Sequence, residues 1–316
     1  MGITVVIPTL NRQVSLLQTI QSVLEGQVLP DQIIIVDQSE SEEKRCESRR
    51  IISDLLADRT VLEYICLDEP SLTHARNVGL SKAHEDIIIF MDDDVDVGRD
   101  TFYNIGFIMK DVSLAMIAGV DDSMLITHTK LGYLMGTKSI RNRAIGHVTY
   151  SVFGRFSDHE ILKETSTQWT MGFFFVVKKP LLDKWGLKFD ERLKSNGYAE
   201  DLDFTYRYYN KARKDGLRCI LSPQVRVVHN ASKEWRISDR KSTFMEVTHR
   251  IYLQHKFWSG RHEGMLKWAF VGQYFTKCFI MIIWQITRMP FRFAESIKRI
   301  SNKGGFIMNY GIRNRE

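Results

Sequence analysis

Three consecutive carboxylates, Asp92, Asp93 and Asp94, follow directly on the apolar run IIIFM of residues 87–91. Held at the end of a buried strand they repel one another, and something positive should offset them. Hard oxygen ligands in that arrangement select Mg2+ or Mn2+, ions that keep waters and bridge phosphate oxygens. Side chains alternate along an extended segment, so Asp92 and Asp94 can face one site while Asp93 turns aside. A solvated acidic turn is the plain alternative. A second acidic group, Glu200, Asp201 and Asp203, precedes a helical pattern with Leu202, Tyr206 and Tyr209 on one face. Carboxylates there ordinarily cap the helix and complement its dipole. His229 closes the apolar run VRVV. Its imidazole suits Mn2+ better than Mg2+, and a strand-end histidine without a ligand role is the equal alternative.

These residues need a scaffold, and the first half of the chain spells one out. Ile3–Ile7 is a β-branched run ended by Pro8, which predicts a buried strand. Thr9 or Asn11 can cap a following helix whose apolar positions are Val14, Leu17, Ile20 and Leu24, closing at Gly26. Strands are expected at Ile33–Val36, Val61–Leu67 and Ile87–Met91, and helices at Ser41–Leu56 and Thr73–Ala83. Strands alternating with helices predict an α/β fold with a mostly parallel central sheet. Ligands bind such sheets beyond the carboxyl ends of the strands, where Asp37 and Asp92–Asp94 lie.

No G-x-G-x-x-G follows the first strand and no G-x-x-x-x-G-K-[ST] occurs, which disfavours a dinucleotide oxidoreductase and a P-loop NTPase. A diphosphate on this sheet would need another device, and a divalent ion is the obvious one. The chain has 316 residues, 44% hydrophobic and 26% charged, enough to build a core and too apolar for disorder. Cys46, Cys66, Cys219 and Cys278 are scattered, which excludes a disulfide framework and a thiolate zinc site and suits a reducing compartment. No secretory signal pattern is visible at the start, and Val6 stands where a myristoylation signal wants Ser or Thr.

Taken in order, VVIPTLNR at 5–12, IVDQS at 35–39, LTHARNVGL at 72–80 and FMDDDV at 90–95 resemble the nucleotide-sugar half of the family 2 glycosyltransferases. TMGFFFVVKK at 170–179 and GYAEDLDFTYR at 197–207 are similar to that family's acceptor half. The resemblance implies an A-type glycosyltransferase fold over residues 1–230, with 1–120 for the nucleotide sugar and 121–230 for the acceptor. It implies inverting sugar transfer from a nucleoside diphosphate sugar, with a weak preference for UDP, and a Mn2+ or Mg2+ cofactor. Pro8, Thr9, Asn11 and Arg12 would line the nucleotide pocket, Asp37 would accept from the base, and Arg76 would lie near the ribose and diphosphate. Asp92 and Asp93 would approach the ribose or the metal shell. Asp94 would be the direct metal ligand and His229 a further one. Asp201 would be the base that deprotonates the acceptor hydroxyl during inversion. Pro8 as a strand end, Asn11 as a cap and Asp37 as a turn residue remain the plain readings. His74 is expected to be a loop histidine. Gly172 allows a close backbone approach beside the transferred sugar, or simply belongs to a core strand.

The remainder, 231–316, lies outside the resemblance. Residues 230–316 hold 16 Lys and Arg against 6 Asp and Glu, whereas 1–229 hold 28 against 32. The stretch WAFVGQYFTKCFIMIIWQIT at 268–287 is long enough to span a bilayer, but Lys277 at its middle costs roughly 2.5–3.5 kcal/mol. Gln273, Lys277, Arg288, Arg292 and Arg299 fall near one helical face. That pattern predicts an amphipathic helix on an anionic membrane surface, with Trp268, Trp284 and Phe291 entering the headgroup zone; a helical subdomain packed on the body is the alternative. Bulky aliphatics between the basic residues argue against nucleic acid. The expectation is a peripheral protein on the cytoplasmic face of the cell membrane, acting on a saccharide or lipid-linked saccharide in surface-polysaccharide synthesis. A sugar nucleotidyltransferase and a non-catalytic nucleotide-sugar-binding protein are the competing readings.

Overall fold

A computed structural model describes residues 1–57, 59–121, 123, 145–155, 157, 159–195, 197–232, 234 and 237–271. Nine strands and seven helices are placed among them, besides a further helical stretch at 263–271. The order is β1 (Ile3–Thr9), α1 (Gln13–Leu24), β2 (Gln32–Asp37), α2 (Glu42–Leu56), β3 (Val61–Cys66), α3 (Leu72–Lys82), β4 (Ile87–Met91) and β5 (Val95–Val97). There follow α4 (Thr101–Ile108), β6 (Leu114–Val120), β7 (Thr165–Ser166), β8 (Phe174–Lys178), α5 (Lys179–Trp185), α6 (Glu200–Lys214), β9 (Arg218–His229) and α7 (Asp239–Trp258).

The strands run β3-β2-β1-β4-β8-β6-β9-β5, with β7 on β9. β1, β2, β3 and β4 are mutually parallel, as the alternation of elements predicts. The second half departs from a mostly parallel sheet. β8 is antiparallel to both β4 and β6, and β5 and β7 are antiparallel to β9, so the sheet is mixed. An apolar run such as FFFVV carries no mark of direction, which is why the sequence does not reveal the reversal.

Alternating side chains build a core on each face of the sheet. Val5, Ile7, Ile33, Ile35, Ile87 and Ile89 pack with Leu16, Ile20 and Val23 of α1, Ile52 of α2 and Phe102 of α4. Val6, Ile34, Val36, Ile88 and Phe90 pack on the other face with Ala75 of α3, Leu182 of α5, and Phe204 and Tyr208 of α6. The fold is therefore a three-layer α/β/α body. α3 comes so close to the sheet that a Cβ on Gly79 would lie 2.3 Å from Val6 Cγ1.

α1 differs from its predicted orientation. Its buried positions are Ser15, Leu16, Thr19, Ile20 and Val23, while Val14 is 58% exposed. Small polar groups fill the face because they have partners there: Thr19 Oγ1 accepts from the Val95 amide at 3.1 Å. Neither Thr9 nor Asn11 caps the helix. Arg12 holds the cap position without a side-chain bond, and the Ser15 amide donates to Glu234 Oε2 at 2.9 Å. Asn11 sits in the left-handed region, φ 56°, and its Oδ1 accepts from the Glu40 amide at 3.0 Å.

The chain divides into two compact units. One comprises 1–127, 141–148 and 154–235; the other comprises 128–140, 149–153 and 236–316. In the second, α7 is followed by a helical stretch at 263–271, where Leu266 and Ala269 pack with Phe153. Within α7, Arg250 stacks over the Phe153 ring at 3.8 Å and donates to the Val152 carbonyl. The proposed interfacial helix of 268–287 falls almost entirely outside the described residues, as does most of 121–144.

Candidate active site

The parallel strands β1, β2 and β4 end along one edge, at Thr9, Asp37 and Met91, and the acidic triplet is the turn that leaves β4 toward β5. Antiparallel pairing of β5 with β9 sets Val95 opposite His229, which brings the imidazole beside Asp94 across 135 positions of sequence. Asp92, Asp94 and His229 each offer one ligand atom, all within 4.8 Å of one another.

Asp94 Oδ2 accepts from the Ser232 amide at 2.8 Å and from Arg12 Nη1 at 3.3 Å. Its Oδ1 lies 3.2 Å from His229 Nε2 as an ion pair without a directed hydrogen bond. That buried oxygen and His229 Nδ1 have no hydrogen-bond partner among the described residues. Phe173 stacks flat on the imidazole, with ring centres 5.1 Å apart, and Asp121 Oδ2 accepts from the His229 amide at 2.9 Å. Burial works against charge on Asp94, but His229, Arg12 and the Ser232 amide outweigh it and hold the carboxyl below its ordinary value. Burial likewise works against a charged His229, and Asp94 outweighs it and raises the imidazole. Two carboxylates and an imidazole, two of their atoms lacking hydrogen bonds, form a donor set that suits a divalent transition ion.

Asp93 turns the other way. Its Oδ2 accepts from Thr9 Oγ1 at 2.6 Å and its Oδ1 pairs with Arg12 Nη1 at 3.0 Å. Burial pushes its carboxyl up to about 7, against the pull of Arg12 and Thr9. Pro8, Thr9, Arg12, Asp92 and Asp93 line one open cleft of about 650 Å³, with Gln38, Ser71 and Ser195 adding polar walls. Asn11 and Asp37 instead line an adjoining cleft of about 490 Å³, beside Lys44 and Glu234, with Thr9 bordering both. Asp37 is buried and engaged: Oδ2 accepts from the Tyr64 hydroxyl at 2.5 Å and Oδ1 from the Ser39 amide at 2.8 Å.

Arg76, expected near the ribose and diphosphate, is buried and paired with Asp92 and Glu200. Its side chain is 1% exposed and lines neither cleft. Nη1 donates to Glu200 Oε1 at 2.6 Å, while Nη2 donates to Asp92 Oδ1 and to the Gly172 carbonyl, both at 2.8 Å. Burial opposes its charge, yet Glu200, Asp92 and Asp201 outweigh that and keep the guanidinium firmly protonated. Burial also drives the Glu200 carboxyl well above its ordinary value, which Arg76 partly counters. Asp201 is half-buried; its Oδ2 accepts from the Gly172 amide at 2.8 Å and its Oδ1 from the Leu202 amide at 2.7 Å. His74 is a surface residue, 3.2 Å from Glu191 Oε2.

Ser232, Tyr64, Asp121 and Gln38 are among the polar residues of this centre that the sequence does not single out, and Glu200 is one it shows in another role. Glu200 reads as a dipole complement at a helix start, and only its burial against Arg76 reveals another task. Ser232 and Tyr64 carry no local signal.

Residues 4–162 match the model of glycosyl transferase family 2. The chain belongs to that family. No curated protein matches it in sequence. Its structure is similar to the mannosyltransferase PcManGT from Pyrobaculum calidifontis, solved in complex with GDP-Man and Mn2+. The TM-score is 0.56 at 14% identity, covering 95% of this chain and 84% of that one. It is similar also to GalNAc-T7 with UDP, GalNAc and Mn2+, TM-score 0.59 at 16% identity over 83% of this chain and 49% of that one. A third likeness is S. aureus TarS 1–349 in complex with UDP, TM-score 0.50 at 16% identity over 84% and 70%. At these identities the likeness establishes the fold, and with the family match it makes this family 2 chain a glycosyltransferase.

Proposed function

We propose that this glycosyltransferase moves a sugar, with inversion, from a nucleoside diphosphate sugar to a saccharide or lipid-linked saccharide acceptor. The observation that carries the reading is the convergence of Asp92, Asp94 and His229 beside a cleft lined by Pro8, Thr9, Arg12 and Asp93. Those three residues would hold Mn2+ or Mg2+, which when bound supplies positive charge to the diphosphate leaving group. PcManGT and GalNAc-T7 were solved with Mn2+ and a nucleotide or nucleotide sugar, which supports the same assignment here.

Asp201 takes the acceptor's proton. Its carboxylate is aimed by two backbone amides, Gly172 and Leu202, at the start of α6. The acceptor oxygen forms a bond to the anomeric carbon as the bond from that carbon to the β-phosphate oxygen breaks. The proton passes to Asp201 and the electron pair leaves with the nucleoside diphosphate. A largely apolar pocket lined by Asp121, Arg155, Trp169 and Met171 offers walls for an acceptor. Asp201→Asn tests the assignment. Donor binding, read as a Mn2+-dependent rise in Tm across a set of nucleoside diphosphate sugars, should persist while transfer falls by about a hundredfold or more. Transfer at the parent rate removes Asp201 from the role, and release of pyrophosphate in place of a nucleoside diphosphate would point to nucleotidyl transfer.

The same reading puts the chain on the cytoplasmic face of the cell membrane. Phe244, Ile251, Met265, Trp268 and Val271 expose apolar surface within a segment rich in Lys and Arg. The attachment proposed is peripheral, on the basic amphipathic pattern of 268–299; among the described residues no helix is long and apolar enough to cross a membrane. Vesicles containing anionic lipid should sediment the protein at low salt and release it at high salt, while zwitterionic vesicles should not. Equal indifference to both removes the membrane from the proposal.

A further inference from the structure

Arg76 is among the largest fully buried side chains of the molecule. Burying a guanidinium is costly unless its donors are met by acceptors of opposite charge. Here the acceptors come from three separate places in the fold. Asp92 belongs to the turn after β4, Gly172 to the loop before β8, and Glu200 to the first turn of α6. The guanidinium rests on the rings of Phe189 and Phe175, at 5.5 and 5.9 Å. Those rings pack in turn with Phe90 and Phe204, so the cation stands on a rigid aromatic floor.

Gly172 completes the link. Its carbonyl accepts from Arg76 and its amide donates to Asp201, so one residue's backbone passes the position of the guanidinium on to the carboxylate. The fit is tight on every side. A Cβ on Gly172 would stand 3.1 Å from Asp201 Cβ, 3.3 Å from Glu200 Oε1 and 3.4 Å from Arg76 Nη1. On the other arm, Arg76 takes Asp92 Oδ1 and fixes the direction in which that carboxylate faces its partners Asp94 and His229.

We infer that Arg76 is a positioning residue for sugar transfer, a buried strut that holds the cation-binding carboxylate of Asp92 and, through the Gly172 backbone, the base Asp201 in one fixed relation. This rests on the proposed assignment of Asp201 and the Asp92 group. It departs from a donor-contacting role, because a guanidinium buried among Glu200, Asp92 and the Gly172 carbonyl acts on the reaction through the groups it holds.

Simple removal, Arg76→Met, leaves Glu200 buried without a counter-ion and risks the fold. The test therefore pairs it with Glu200→Gln, which removes that charge, and adds Arg76→Lys, which keeps one. Hydrogen exchange at the 170–173 backbone reads the strut without reference to activity. The double variant should remain folded, lose protection at the Gly172 amide, and lose about a hundredfold in kcat with donor KM changed by less than about threefold. Arg76→Lys should recover part of both. Parent-like exchange and parent-like kcat in the double variant would overturn the strut and leave Arg76 a mere counter-ion for Glu200. Should the parent itself transfer no sugar, the reaction assignment fails, while the exchange result still decides whether Arg76 holds Gly172.

Discussion

At the scale of single residues, the triplet divides its labour within the turn that joins β4 to β5, not along the extended segment the sequence suggests. Asp92 and Asp94 meet His229, while Asp93 is spent on Thr9 and Arg12. That division was legible from the sequence. The resemblance also places His229 with Asp94 at the cation, though the β5–β9 register that joins them was not legible. Nor was the burial of Arg76, because nothing in LTHARNVGL distinguishes an arginine facing a cleft from one facing Phe175 and Phe189. If His229 completes the cation site, His229→Ala should weaken Mn2+ binding by about tenfold or more, read from the free Mn2+ signal by electron paramagnetic resonance. His74→Ala, on the surface, should leave that affinity unchanged. Equal loss in both, or in neither, would separate the imidazole from the cation.

At the scale of elements, the strands and helices of the first half were readable because their side chains obey period two and period 3.6. What the patterns could not convey is which polar residues the fold would satisfy in the interior. α1 buries Ser15 and Thr19 and exposes Val14 because β5, Ser232 and Glu234 supply partners on that side. The contact of α3 with β1 is likewise invisible in sequence, yet it sets where Arg76 stands. A methyl group on Gly79 would meet Val6 Cγ1 at 2.3 Å, and a β-branched residue locked in a central strand has no rotamer by which to retreat. Gly79→Ala is therefore expected to cost about 1–3 kcal/mol in urea unfolding, as overpacked cores do. Val6→Ala in the same chain should return much of it, because the double variant empties the space that the new methyl fills. Additive losses would show that the two positions do not share that space.

For the whole molecule, the contrast between an acidic body and a basic end was plain in the charge count, whereas the path of the chain was not. The second unit takes its residues from 128–140, 149–153 and 236–316, so it is not a simple tail attached after β9. The short 149–153 segment depends on residues about a hundred positions downstream. Phe153 is buried against Leu266 and Ala269, and Arg250 both covers its ring and bonds to Val152. Ending the chain at 235 strips all of these away and exposes a phenylalanine whose burial contributes about 2 kcal/mol. The shortened chain should consequently show a lower Tm than the full chain and should self-associate on size-exclusion chromatography. Phe153→Ser in the shortened chain should reduce the association, since it removes the sticky surface, but should not restore the Tm. A shortened chain that stays monodisperse with the full chain's Tm would mean that the packing around Phe153 adds nothing to the body, and that 236–316 serves location alone.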